Sequence, residues 1–233
     1  MFADLADLAE FLDAAEQQTP RLSEADYARI AALARRTGDQ ANWRRARIAL
    51  RIVIERWAGP QTGPGMRQRP FMIGAGGRPR LDDGLPAFSH SHSGTAALIA
   101  VAAHDPIGID IEALRPLRAS TERRRRIEIA AARLAPDAPL PGDETLRFLQ
   151  AWVRLEASAK ATGAGIGQTL TNARVIGSQD DAPAYSIGTG IAVRDIAVPP
   201  GFLAAVATAD PSPNITLMSF PADAASLRQF LVP

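Results

Sequence analysis

The stretch "PIGIDIE", residues 106 to 112, sets two acids, Asp110 and Glu112, one residue apart inside an apolar run. On an extended chain, residues i and i+2 point to the same side. Two like charges therefore sit together where Ile107, Ile109 and Ile111 call for burial, and such a pair calls for a positive partner. A second constellation lies in "WVRLEASAKATG", where Trp152, Glu156 and Lys160 follow at i, i+4 and i+8 and share one helical stripe. As an ordinary surface ion pair, Glu156 and Lys160 would contribute only about 0.3–0.5 kcal/mol. A third is "FSHSHSG", residues 88 to 94, whose hydroxyls, imidazoles and backbone donors suit a phosphate. Taken singly, each also reads as ordinary structure: a solvated strand end, a surface pair, a capped loop.

Composition limits which chemistry these residues can do. A chain of 233 residues, 46% hydrophobic and 22% charged, can bury a substantial core as one large domain or two small ones. The absence of cysteine excludes disulfides and thiolate metal sites, and His90, His92 and His104 are too few for a histidine-rich zinc site, so any metal should be held by oxygen. The opening "MFADLADLAEFLD" is acidic and amphipathic, unlike a basic leader, and "TAALIAVAA" falls short of the ~20 residues of a membrane helix. These features predict a soluble cytoplasmic protein without a membrane partner. A net charge of +1 argues against a nucleic-acid partner.

The elements that must position the three constellations follow from periodicity and punctuation. Helices are expected in "DLADLAEFLDAAEQ", in "LSEADYARIAALARR" with Ser23 as cap, and in "ANWRRARIALRIVIERWAG" up to a Gly59 stop. A Gly/Pro-rich region follows, with a short strand near Phe71 to Ile73 and a turn at Gly76-Gly77. Next come the strand "TAALIAVAA", the acid-bearing strand, a helix capped near Ser120, and a helix ending at Gly163. The last seventy residues read as short strands alternating with turns. This order is α+β, not a regular βαβ repeat. An internal echo, "ALIAVAAHDP" at 97 to 106 against "FLAAVATADP" at 202 to 211, predicts two similar α/β subdomains related by a pseudo-twofold axis. The boundaries expected are 1–106 and 107–233, with the active site in the cleft between them.

In order and spacing, Phe-x-x-Ser-His-Ser at 88 to 93, Gly-Ile-Asp-Ile-Glu at 108 to 112 and Trp-x-x-x-Glu-Ala-x-x-Lys-x-x-Gly from Trp152 resemble the signatures of the 4'-phosphopantetheinyl transferases. The resemblance is nearer to the long, monomeric type that activates nonribosomal peptide and polyketide synthases, and it runs from about Arg44 onward. It implies transfer of the phosphopantetheine arm of coenzyme A to a serine of an apo acyl or peptidyl carrier protein, with release of 3',5'-ADP. It also implies Mg²⁺, with Mn²⁺ as the alternative, held by Asp110, Glu112 and Glu156, a hard cation suiting oxygen ligands and phosphate. Glu156 would be the base for the incoming serine and Lys160 would neutralise the leaving phosphate. Ser91, His92, Lys160, Arg78 (in place of the family's lysine) and Arg51 would hold the coenzyme.

Departures from the pattern set a second expectation. Leu155 stands where the family has lysine, which would remove a positive charge near the pyrophosphate; the alternative function is then a catalytically weakened homologue that binds coenzyme A or carrier protein without efficient transfer. His90 replaces an apolar residue and is expected to point away from His92. The run "ERRRRIEIAAARL" reads first as a solvated helix face and second as a docking surface for an acidic carrier.

Overall fold

The computed structural model describes residues 1–34, 40–175 and 190–232. In chain order the elements are β1 (Phe2–Asp4), α1 (Ala9–Gln18), α2 (Glu24–Ala34), α3 (Gln40–Thr62), β2 (Met72–Ile73), β3 (Pro79–Arg80), β4 (Ala87–Ser93), β5 (Ala96–Ala102), β6 (Ile107–Ala113), α4 (Thr121–Leu134), α5 (Glu144–Thr162), α6 (Gly165–Asn172), β7 (Ala192–Ile196), β8 (Phe202–Thr208) and α7 (Ala224–Leu231). The mixed α+β character expected from the sequence is what these elements form. Among the described residues no helix is long and apolar enough to cross a membrane.

The helix ends follow their local chemistry. The Ser23 hydroxyl accepts from the Asp26 amide while the Asp26 carboxylate accepts from the Ser23 amide, a reciprocal cap at the start of α2. Ser120 caps α4 and Asp143 caps α5, and Gly163 ends α5 in the left-handed conformation. Three expectations differ from what is found. Residues Phe2–Asp4 form a strand, β1, because their amides and carbonyls pair with β5, so the first helix begins only at Ala9. Gly59 does not stop α3, which runs on to Thr62. The C-terminal region contains two helices, α6 and α7, besides its strands; the part expected over 176–189 lies outside the described residues.

Two three-stranded antiparallel sheets, in the orders β1-β5-β4 and β6-β8-β7, carry the site. The echoed segments supply β5 and β8, the central strand of each sheet. Alternation along these strands divides the core into three clusters. Ala97 and Ile99 of β5 face α1 and α3, with Leu12, Ile48 and Ile52. Ala205 and Ala207 of β8 face α4 and α5, with Ile127, Leu149 and Val153. Leu98, Ile109, Ile111 and Ala204 pack in a cluster of their own on the opposite strand faces. The chain order does not coincide with this partition throughout: Phe220 and Leu227, near the C-terminus, pack in the first cluster beside α3.

The even-numbered face of β6 belongs to α5. A methyl built on Gly108 would lie 2.0 Å from the Ala157 carbonyl oxygen and 2.5 Å from the Ala161 amide nitrogen. Only a residue without a side chain lets the helix seat this close, and Ala205 and Ala207, the β8 partners of Asp110 and Gly108, keep the neighbouring strand low as well. Gly108→Ala must therefore push helix and strand apart, an overpacking cost of about 1–3 kcal/mol or more. Thermal melting is expected to fall by at least about 3 °C. Gly142→Ala, where a methyl meets nothing within 4 Å, is the control and should melt with the wild type.

Candidate functional site

Strand alternation resolves the paired acids. Ile107, Ile109 and Ile111 are buried on one face of β6, so Gly108, Asp110 and Glu112 share the other. Because Gly108 draws α5 onto that face, the helix stripe Glu156–Lys160 comes beside the acids. The Lys160 ammonium donates to Asp110 Oδ1 at 2.7 Å and to the Ser91 hydroxyl at 3.0 Å, and Ser91 in turn donates to the same carboxylate oxygen at 2.6 Å. Lys160 is thus the positive partner that Asp110 has in this structure.

The serines of "FSHSHS" have a structural role that their spacing of two encodes. Ser89 Oγ accepts from the Ile109 amide and Ser93 Oγ from the Ala113 amide, both at 3.1 Å, while Ser93 donates to Glu112 at 2.8 Å. Three hydroxyls on one face of β4 therefore bridge to β6 and join the two sheets through side chains. Ser91, expected among coenzyme ligands, lies within this seam and within the acid cluster. His90 and His92, two apart on the same strand, lie on the same side of it, contrary to the expectation that they diverge. Burial, followed by the charges of Arg47, Lys160 and His92, pushes the His90 imidazolium well below its ordinary range, so His90 is neutral at pH 7.

Electrostatics at the acids show the cost of gathering negative charge. Burial is the main cause holding the Asp110 carboxyl above its usual range, with Glu112 adding to it while Lys160 and Ser91 oppose. Glu156 is pushed up to about 7, first by burial and then by Asp110, with Lys160 opposing and Glu112 adding. Asp110 Oδ2 is buried without a hydrogen-bond partner. Even so, among the described residues no three His, Asp or Glu side chains form a group ready to hold a metal ion. The expected cage of Asp110, Glu112 and Glu156 is therefore not closed. Lys160 occupies Asp110 Oδ1, while Glu112 is drawn to Ser93 and, at 3.3 Å, to Arg115.

A cavity of about 310 Å³ adjoins the cluster, lined by Glu156 and Lys160 on one side and by Gly76, Gly77, Arg78 and His90 on the other. A larger one, about 550 Å³, is bordered mainly by apolar residues such as Leu98, Ile109, Val206 and Ile215 and lacks the acids. Of the expected coenzyme ligands, Arg78 and Lys160 border the smaller cavity. Arg51 does not. It is 3% exposed, and its guanidinium is spent on Asp26 (2.9 and 2.6 Å), Ser23 and the Arg69 carbonyl, with the Phe71 ring 4.0 Å away. The reason is Asp26, a buried carboxylate that needs this arginine more than solvent does. Leu155 is also placed differently from expectation. It is fully buried among Ile127, Leu134 and Leu149, because one residue along a helix turns the side chain about 100° away from the cavity face. Leu155 belongs to the core in this structure and not to the cavity lining.

Sequence reasoning did not find the seam role of Ser89 and Ser93 or the glycines bordering the cavity. The spacing of the serines was the available signal for the first; the second depends on tertiary approach.

Residues 106–205, spanning β6 to most of β8 and including Asp110, Glu112, Glu156 and Lys160, match the family model of the 4'-phosphopantetheinyl transferase superfamily. A protein of Synechocystis sp. whose name is that of a 4'-phosphopantetheinyl transferase is 32% identical over 144 residues, which are 58% of this chain and 54% of that protein. The chain thus spans about half the length of this curated relative.

Proposed function

We propose that the protein transfers the 4'-phosphopantetheine arm of coenzyme A to a serine hydroxyl of an apo acyl or peptidyl carrier protein, leaving 3',5'-ADP. The observation that carries this reading is the meeting of β6 and α5 inside the matched segment, with Lys160 2.7 Å from Asp110 and Glu156 one turn before it under the influence of both β6 acids. In the reaction, the serine oxygen bonds to the β-phosphorus of the coenzyme, the bond from that phosphorus to the bridging oxygen breaks, and the serine proton passes to Glu156. The upward pull on Glu156 belongs to the site without a cation; a bound dication would favour its ionised form, the form that accepts a proton, while making it a weaker base. Lys160 donates to the departing phosphate oxygen. Arg78, Ser91 and His92 are assigned to the coenzyme's phosphates, while Arg51 braces the first core behind them.

The donor atoms are all oxygen, the chemistry of a hard divalent cation, and one buried carboxylate oxygen lacks a partner, but closing the cage requires Lys160 and Ser93 to release Asp110 and Glu112. Asp110, Glu112 and Glu156 would hold Mg²⁺, or Mn²⁺ as the alternative, which when bound would neutralise charge on the pyrophosphate. The long, single-chain type that serves peptide and polyketide synthases is the subtype proposed, acting as a cytoplasmic monomer with halves 1–106 and 107–233. In support, one chain supplies both the β4 serines and the β6 and α5 acids. The alternative, a weakened homologue that only binds coenzyme A or carrier protein, drew on Leu155, and the core position of that residue removes its main argument.

Incubation with coenzyme A, Mg²⁺ and apo carrier proteins should add one phosphopantetheine arm to the carrier by mass spectrometry. Asp110→Asn and Lys160→Ala should slow this by about 100-fold or more. No added arm on any of several carriers would overturn the reading.

Glu156 makes stability depend on pH and metal. Its folded pKa, about 7, lies above the ordinary 4.5, so between these values the folded chain keeps a proton that the unfolded chain releases. Stability contributed by the protonated form is full below about 4.5 and is lost as pH rises through 7, a cost of roughly 2–3 kcal/mol. In chelator at pH 8, Glu156→Gln should therefore melt several degrees above wild type, with the difference vanishing near pH 4.5. Added Mg²⁺ should raise the wild-type midpoint at pH 8 and leave the variant's unmoved. Equal midpoints throughout would count against both the burial cost and the cation.

On α4, Arg124 is held by Glu144 and Arg126 by Glu122, whereas Arg123 and Arg125 are exposed without an ion pair among the described residues. Docking of an acidic carrier is proposed for these two. Arg123→Glu with Arg125→Glu should raise the carrier KM by about fivefold or more, chiefly at low salt, with the coenzyme A KM unchanged. Equal effects on both substrates would remove the docking role.

A further inference from the structure

The antiparallel pair of β2 and β3, with Met72 opposite Arg80 and Ile73 opposite Pro79, projects a glycine-rich tip over the smaller cavity. The tip is closed by its own backbone, the Gly74 amide donating to the Arg78 carbonyl at 2.8 Å and the Gly77 amide to the Gly74 carbonyl at 3.2 Å. Both Gly76 and Gly77 have positive φ, 64° and 78°, so either would be strained by a side chain. Their surroundings differ. A methyl on Gly76 would lie 2.1 Å from the carbonyl oxygen of Gly163, the residue that ends α5, whereas a methyl on Gly77 meets nothing within 4 Å. The next residue, Arg78, ties the tip down: its guanidinium donates to the Phe88 carbonyl at 3.0 Å, to Asp105 at 2.7 Å and to the Ala161 carbonyl at 3.5 Å.

We infer that Gly76 is a positioning residue for coenzyme A, seating the hairpin tip backbone to backbone on the end of α5 and so fixing the cavity wall and Arg78 at the distance that the coenzyme requires. This rests on the proposed transferase reading and deepens it. Among the described residues no hydrogen bond or ion pair joins the tip to Asp110 or Glu112, and it acts on coenzyme affinity, not on the chemical step. A lifted tip moves Arg78 with it and widens the cavity on one side.

The test compares Gly76→Ala with Gly77→Ala, two changes that both place a methyl on a positive-φ backbone and of which only the first meets the end of α5. Gly76→Ala should raise the KM and the calorimetric Kd for coenzyme A by about tenfold more than Gly77→Ala does. Its kcat at saturating coenzyme and its KM for carrier should equal those of Gly77→Ala. Equal coenzyme affinities in the two variants, or a fall in kcat with KM unmoved, would overturn the inference. Should Gly76→Ala fail to fold, amide exchange on the wild-type chain decides: coenzyme A should protect segments 72–80 and 161–167 together, and protection of 161–167 alone would overturn it. A wild-type chain that binds no coenzyme A at all would instead overturn the transferase reading, so the two failures are distinguishable.

Discussion

The contact on which the site depends is the approach of α5 to β6 at Gly108. A helix normally stands off a sheet by the depth of its side chains, but here the strand offers bare backbone to Ala157 and Ala161. That proximity places a lysine ammonium within hydrogen-bonding distance of a carboxylate that is 5% exposed. It also explains why the neighbouring strand shows alanines on the same face, since any bulk there would lift the helix and separate the charges.

Close placement makes the charges expensive. Burying Asp110 and Glu156 disfavours their ionised forms, Asp110 adds to the cost at Glu156 and Glu112 adds to it at both, with Lys160 as compensation. Removing Lys160 would strand a buried carboxylate, and removing Asp110 would leave the ammonium hydrogen-bonded to Ser91 beside Glu156. The hydroxyls of β4 supply directed donors and acceptors without adding charge, which lets the seam between the sheets run beside a cluster already short of positive partners.

Much of this was legible in the sequence because it is local. The period of two in "GIDIE" fixes which β6 residues share a face, the period of 3.6 fixes that Glu156 and Lys160 do, and Ser23, Ser120 and Gly163 mark helix ends through chemistry that acts within one turn. What was not legible depends on partners far along the chain. Arg51 is spoken for by Asp26, twenty-five residues earlier, and nothing in the basic helix announces that. Leu155 could be judged only once the helix had a buried side. The strand at Phe2–Asp4 exists because β5 offers it an edge, and it takes Asp4, the first residue of the pattern that read as a helix.

The final helix has a consequence for how the chain acquires this arrangement. Phe220 and Leu227 complete the cluster built around α3, so the amino-terminal half lacks part of its interior until the carboxyl-terminal residues have been made. The intervening segment from β6 to β8 has its cluster supplied from within itself. During synthesis, the cluster between β8, α4 and α5 can close before the one around α3, which also takes Phe230 and Leu231, reversing the usual order in which earlier units settle first.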